Sequence, residues 1–128
     1  MITITGTIRY DNNYKLYVEI GNDISKYYLK MIPKYVAIPN PQRYDAHISV
    51  VRNETPEKLE YWKKYDGYTI QVEYDPYIKT DGVYFWLNVY TEELSRIREE
   101  LGLSKTSELS RPPSGEECFH ITIGNLKN

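Results

Sequence analysis

The chain of 128 residues has one cysteine, two histidines and no surplus of positive charge. A single cysteine, Cys118, excludes an internal disulfide and suits a reducing compartment. Sixteen Lys and Arg against eighteen Asp and Glu leave a formal net charge of −2. That is no broad basic footprint for gripping a long polyanion, so DNA is not an expected partner. No apolar run is long enough to span a membrane, and the start lacks the basic-then-apolar pattern of a signal peptide. A cytoplasmic protein with no membrane partner is therefore expected. There is also no phosphate-cradling glycine loop and no dinucleotide fingerprint, so no cofactor is expected.

What is present is a chain of ordinary apolar content, 41%, with an unusual fourteen tyrosines. The length suits one domain spanning residues 1–128, with a real core. Tyrosine joins a flat apolar ring to a polar tip, which suits half-exposed sheet surfaces or sites where bases stack.

Alternation carries most of the structural signal. Ile2, Ile4, Ile8 and Tyr10 (with Gly6) share one face of residues 2–10; Thr3, Thr5, Thr7 and Arg9 share the other. Asp11-Asn12-Asn13 predicts a turn into a second strand over residues 14–20, completing a hairpin. A short helix from Ile24 stops before Pro33. Thr55-Pro56-Glu57 reads as the start of a helix that runs to about Tyr65. Residues 68–75 and 83–90 read as strands. The second buries Val83, Phe85, Leu87 and Val89 and presents Tyr84, Trp86, Asn88 and Tyr90 on its other face. Residues 91–101 form the best helix, with Leu94, Ile97, Arg98 and Leu101 at helical spacing and Gly102 as its stop.

Two further strands hold both histidines. In Ala46-His47-Ile48-Ser49-Val50-Val51, the apolar residues Ala46, Ile48 and Val50 point one way and His47 and Ser49 the other. In Cys118-Phe119-His120-Ile121-Thr122-Ile123-Gly124, Phe119, Ile121 and Ile123 share a face opposite Cys118, His120 and Thr122. Each strand thus carries a His with a hydroxyl residue two positions on, and each follows a proline-containing loop with an arginine, Arg43 or Arg111. This weak internal echo predicts a pseudo-symmetric α+β sheet with helices on one face and a polar, aromatic, concave opposite face.

Two imidazoles across one cleft can act as base and acid, one taking a proton from the attacking oxygen and the other donating to the leaving oxygen. Ser49 and Thr122, beside them, can hydrogen-bond non-bridging phosphate oxygens. The pair of His-x-[Ser/Thr]-apolar motifs, 73 residues apart, resembles the two-histidine (2H) phosphoesterase superfamily. That superfamily includes RNA 2′,3′-cyclic phosphodiesterases and resembles phage enzymes that destroy cyclic-nucleotide defence signals. The resemblance implies a bilobal fold of antiparallel sheets with helices on the outer faces and a central cleft. It implies catalysis by His47 and His120, with His47 as base and His120 as acid, and phosphate held by Ser49 and Thr122. It also implies metal-independent hydrolysis of a cyclic nucleotide, cyclic oligonucleotide or short RNA end, in the host cytoplasm if the source is viral. The first motif carries Ser where Thr is commoner, and only four residues follow Gly124, so any closing element that relatives place there is expected to be missing.

Around this core, Tyr84, Trp86 and Tyr17 are candidates for stacking on a base, with Arg43 and Arg111 as phosphate clamps. The plainer alternatives are that Trp86 packs against a loop and that both arginines are solvated. Cys118, His120 and His47 form a conceivable zinc site, though without paired-ligand spacing. Beside hydrolysis stand two other readings: a non-catalytic module binding nucleotides or RNA ends, and a structural protein assembling through its tyrosines.

Overall fold

A computed structural model describes residues 1–127. Its first hairpin pairs β1 (Ile2–Tyr10) with β2 (Leu16–Glu19). Asp11 makes the turn: its Oδ1 accepts the N–H groups of Asn13 and Lys15 at 2.8 and 2.9 Å. Helix α1 (Asp23–Met31) follows and ends before Pro33. Next come the two-residue β3 (Asn40–Pro41) and the first His strand, β4 (His47–Val51). The second half holds β5 (Thr69–Tyr74), the two-residue β6 (Lys79–Thr80), β7 (Tyr84–Tyr90), α2 (Glu92–Glu100) and the second His strand, β8 (Phe119–Asn125). The protein is thus a small single-domain α+β structure with antiparallel strands and two helices. No helix among the described residues is long and apolar enough to cross a membrane.

The strands run in the order β3-β8-β4-β2-β1-β5-β7-β6, and β7 also pairs with β8. That last pairing closes six strands into a barrel. Around it, Leu87 faces Ile121, Ile121 faces Ile48, Ile48 faces Val18, and Val18 faces Ile8. All five side chains are buried, so the barrel interior is the core rather than a channel. Instead of the expected two sheets flanking a cleft, there is one closed sheet. The reason is that β8 uses both edges, pairing with β4 on one and β7 on the other, which leaves no free boundary between lobes.

Both helices pack their buried residues into the same core as the barrel strands. Tyr28 of α1 is buried, and its hydroxyl meets that of Tyr74 on β5 at 3.0 Å. α1 and β3 come so close to β8 that a Cβ on Gly124 would sit 2.6 Å from Leu29 and 2.8 Å from the Asn40 carbonyl oxygen. On α2, Leu94, Ile97 and Arg98 are buried, as their spacing predicts. Arg98 has no solvent exposure. Its guanidinium donates to both Glu54 carboxylate oxygens at 2.8 and 2.9 Å, to the Val50 carbonyl at 2.8 Å and to the Ser104 carbonyl at 2.7 Å. One side chain thereby ties α2 to the end of β4 and to the segment leading towards β8.

Two local expectations change. The helix expected over residues 55–65 is a single 3-10 turn, Leu59–Tyr61. Trp62 is held elsewhere, its indole N–H donating to the Asp11 carbonyl at 3.1 Å and its ring meeting the edges of Tyr10 and Tyr14. Lys63 then takes a left-handed φ of 70°, which ends any helix. These tertiary anchors outweigh the local helix signals. The second change concerns β7. Its expected solvent face is half covered, since Trp86 and Asn88 are as buried as Phe85 and Leu87.

Candidate functional site

Ile48 of β4 and Ile121 of β8 are cross-strand partners in an antiparallel pair. One step to either side, that register sets His47 opposite Thr122 and Ser49 opposite His120. All four side chains project from the outer face of the barrel, and all four are half-buried. Opposed residues have Cβ atoms about 4.5–5.5 Å apart and diagonal ones about 7–8 Å, so the two imidazoles can reach one phosphate-sized group. The motifs are brought together, on adjacent strands of one convex surface.

Each histidine has its own setting. His47 Nδ1 lies 2.7 Å from the Asp45 carbonyl oxygen. A carbonyl only accepts, so Nδ1 carries a hydrogen and Nε2 is the nitrogen left to face a substrate. The Tyr17 ring stands edge-on to His47 at 6.1 Å between centroids, and Glu19 is its β2 register partner. Glu19 also pairs with Arg9 at 3.5 Å.

His120 is more enclosed. The segment from α2 to β8 lies over its side of the barrel: Ser110 and Pro112 are buried, and Glu116 accepts from the Asn88 amide at 3.2 Å. Burial pushes His120 down to about 4, the nearby Ser110 backbone offsets part of that fall, and the charges of His47 and Arg52 add to it. His120 Nδ1 is enclosed with no hydrogen-bond partner among the described residues. At neutral pH this ring is uncharged.

The flanking candidates divide. Tyr17 belongs to the patch. Trp86 is the register neighbour of Thr122, but it is 2% exposed and its indole N–H is bonded to Asn88 Oδ1 at 2.9 Å. It is therefore enclosed and offers no face to a base. Tyr84 is half-exposed at the start of β7, with the Lys127 ammonium 4.8 Å from its ring centre. Tyr90 is exposed and takes a long contact from Asn88 at 3.4 Å. Arg43 is exposed beside the Tyr44 ring, whereas Arg111 is engaged by Thr106 at 3.0 Å and Glu117 at 3.7 Å within its own loop.

Cys118 is buried, and that burial raises its thiol to about 11. A thiol held protonated is a poor metal ligand. Among the described residues no three His, Cys, Asp or Glu side chains gather as a metal site. Two surface depressions, of about 440 and 290 Å³, lie along α2 and are lined by none of the four motif residues.

Sequence reasoning missed Glu19, Asn88 and Arg52. Glu19 and Asn88 alternate outwards on their strands, but only strand pairing makes them neighbours of the histidines. No family model, curated protein or solved structure matches the chain.

Proposed function

We propose that this protein is a metal-independent phosphodiesterase of the two-histidine type, acting on a small cyclic nucleotide or cyclic oligonucleotide. The observation that carries the reading is the register of β4 and β8, which makes one patch of His47, Ser49, His120 and Thr122. Two imidazoles within reach of one phosphate supply both proton transfers, and the hydroxyls supply donors where negative charge develops.

The settings of the two rings favour roles opposite to those the family resemblance implies. A ring held neutral by burial starts as proton acceptor, so His120 is the base. His47, whose Nδ1–H is held by the Asp45 carbonyl, then donates from Nε2 to the leaving oxygen. A bound phosphodiester anion beside His120 favours its imidazolium, so substrate itself makes the base stronger. A 2′,3′-cyclic phosphate on a mononucleotide or a short RNA end fits the same chemistry.

A second reading, a non-catalytic nucleotide-binding module, is favoured by one observation: His120 is half-covered by the loop through Ser110. One experiment separates the two. The protein is incubated in chelator with cyclic mononucleotides, cyclic dinucleotides and RNA ends bearing 2′,3′-cyclic phosphate, alongside His47→Ala and His120→Ala. Turnover that both substitutions abolish supports hydrolysis. Binding without turnover supports the module, and activity that returns only with added zinc or manganese refutes the two-histidine mechanism.

A further inference from the structure

Between Asp23 and Asp45 the chain has no acidic residue, although its overall net charge is −2. The same stretch carries Lys26, Lys30, Lys34 and Arg43. None of these four takes part in an ion pair among the described residues. The protein's charge is therefore segregated, with one cationic segment on an otherwise acidic body.

The segment also exposes apolar side chains. Lys26 and Lys30 lie one turn apart on α1, as do their neighbours Tyr27 and Met31, so a cationic stripe runs beside an apolar one. The inward side of α1 holds Tyr28, with Ile24 and Leu29 packed against the core. Beyond α1, a turn closed by the Val36 N–H on the Pro33 carbonyl at 2.9 Å lifts Tyr35 and Val36 outwards. Tyr35 is 91% exposed, Val36 63% and Ile38 72%. Nothing in the fold requires these side chains to stand in water.

We propose that residues 24–44 are a docking face for an anionic lipid surface. The cations complement anionic headgroups, and the protruding Tyr35, Val36 and Ile38 enter the interface between headgroup and acyl chain. Two signals together, charge and apolar insertion, are what reversible attachment needs. The absence of a spanning run, which argued against a membrane partner, does not bear on attachment of this kind.

Two other occupants fit less well. A single-stranded nucleic acid would use the lysines and tyrosines but leave Met31, Val36 and Ile38 in water, and the convex turn offers it no groove. A symmetric contact with a second copy would set four cations against four like charges.

The test is co-sedimentation of the full chain with phosphatidylcholine vesicles, with and without about 30% phosphatidylserine. Binding is expected only to the anionic vesicles and weakens as salt rises. Each lysine near the surface contributes about fivefold in partitioning, so Lys30→Glu with Lys34→Glu lowers binding well over tenfold. Tyr35→Ser with Ile38→Ser removes the binding that persists at raised salt. All four side chains point away from the core, and circular dichroism checks that the variants are folded. Equal binding to both vesicle types, or anionic binding that the folded variants retain, overturns the proposal. So does absence of vesicle binding, whether the same variants instead abolish capture of a labelled single-stranded RNA or self-association in sedimentation velocity.

Discussion

His47 of β4 stands opposite Thr122 of β8, because Ile48 and Ile121 are paired on the barrel's inner side. The same register sets Ser49 opposite His120, so each motif's hydroxyl faces the other motif's imidazole. On the proposed mechanism the four side chains act as one unit. His47→Ala and His120→Ala are each expected to remove nearly all turnover, with the double variant little worse than either. Ser49→Ala and Thr122→Ala are expected to raise the barrier by roughly 2–4 kcal/mol each, the loss of one oxyanion donor. Steady-state rates on the responsive substrate check this. Near-full activity in either His variant removes that residue from the mechanism.

The pH dependence of stability tests the enclosure of His120. Its ring titrates near 6.5 when unfolded and at about 4 in the folded protein. As pH falls, the unfolded chain therefore takes up the proton first. This contribution to stability is complete above about 6.5 and is lost as pH drops towards 4, by roughly 3 kcal/mol. Urea midpoints of the wild type should fall across that window, and those of His120→Gln should stay flat. The carboxyl of Asp81 is held below its usual range by the N–H groups of Tyr84 and Val83, so its effect belongs to lower pH. A flat wild-type profile between pH 4 and 6.5 would contradict a neutral, half-buried His120.

Rates should also report the proton roles. With His120 as base, kcat/KM falls on the acidic side as His120 is protonated. The acidic limb should lie towards pH 4, well below the ordinary histidine range. A rate that climbs steadily into the alkaline range excludes histidine as the acid.

Trp86 separates packing from ligand contact. It is fully enclosed and hydrogen-bonded to Asn88. Trp86→Ala is expected to cost about 3–5 kcal/mol of folding stability, through lost burial and a cavity. Tyr17→Ala, next to His47, should instead weaken nucleotide binding with little change in the unfolding midpoint. Denaturant titration and nucleotide binding, measured on both variants, distinguish the two effects.

Arg98 is expected to be the most damaging charged residue to truncate. Removing it leaves the Glu54 carboxylate and the carbonyls of Val50 and Ser104 without their donor. Arg98→Ala should cost about 3–5 kcal/mol, as for a buried pair that loses one partner. It should also loosen β4, so turnover should fall even below the unfolding transition. Unfolding midpoints and rates measured together test both parts.

The sequence by itself determined which residues turn inwards along most strands, since side chains alternate with a period of two and most strands were clearly apolar on one face only. It therefore identified the two His strands, the first hairpin and both helices, including the inward placing of Arg98. Alternation does not say which strands are neighbours, or what covers a face that looks polar. The closure of β7 onto β8 and the register of Ile48 with Ile121 are long-range pairings that leave no local trace. The same holds for the cover over Asn88 and His120, which comes from a loop of ordinary polar composition. Whether a histidine keeps or loses its proton near neutrality depends on the water around it, so the state of His120 was decided only by what the tertiary structure lays over it.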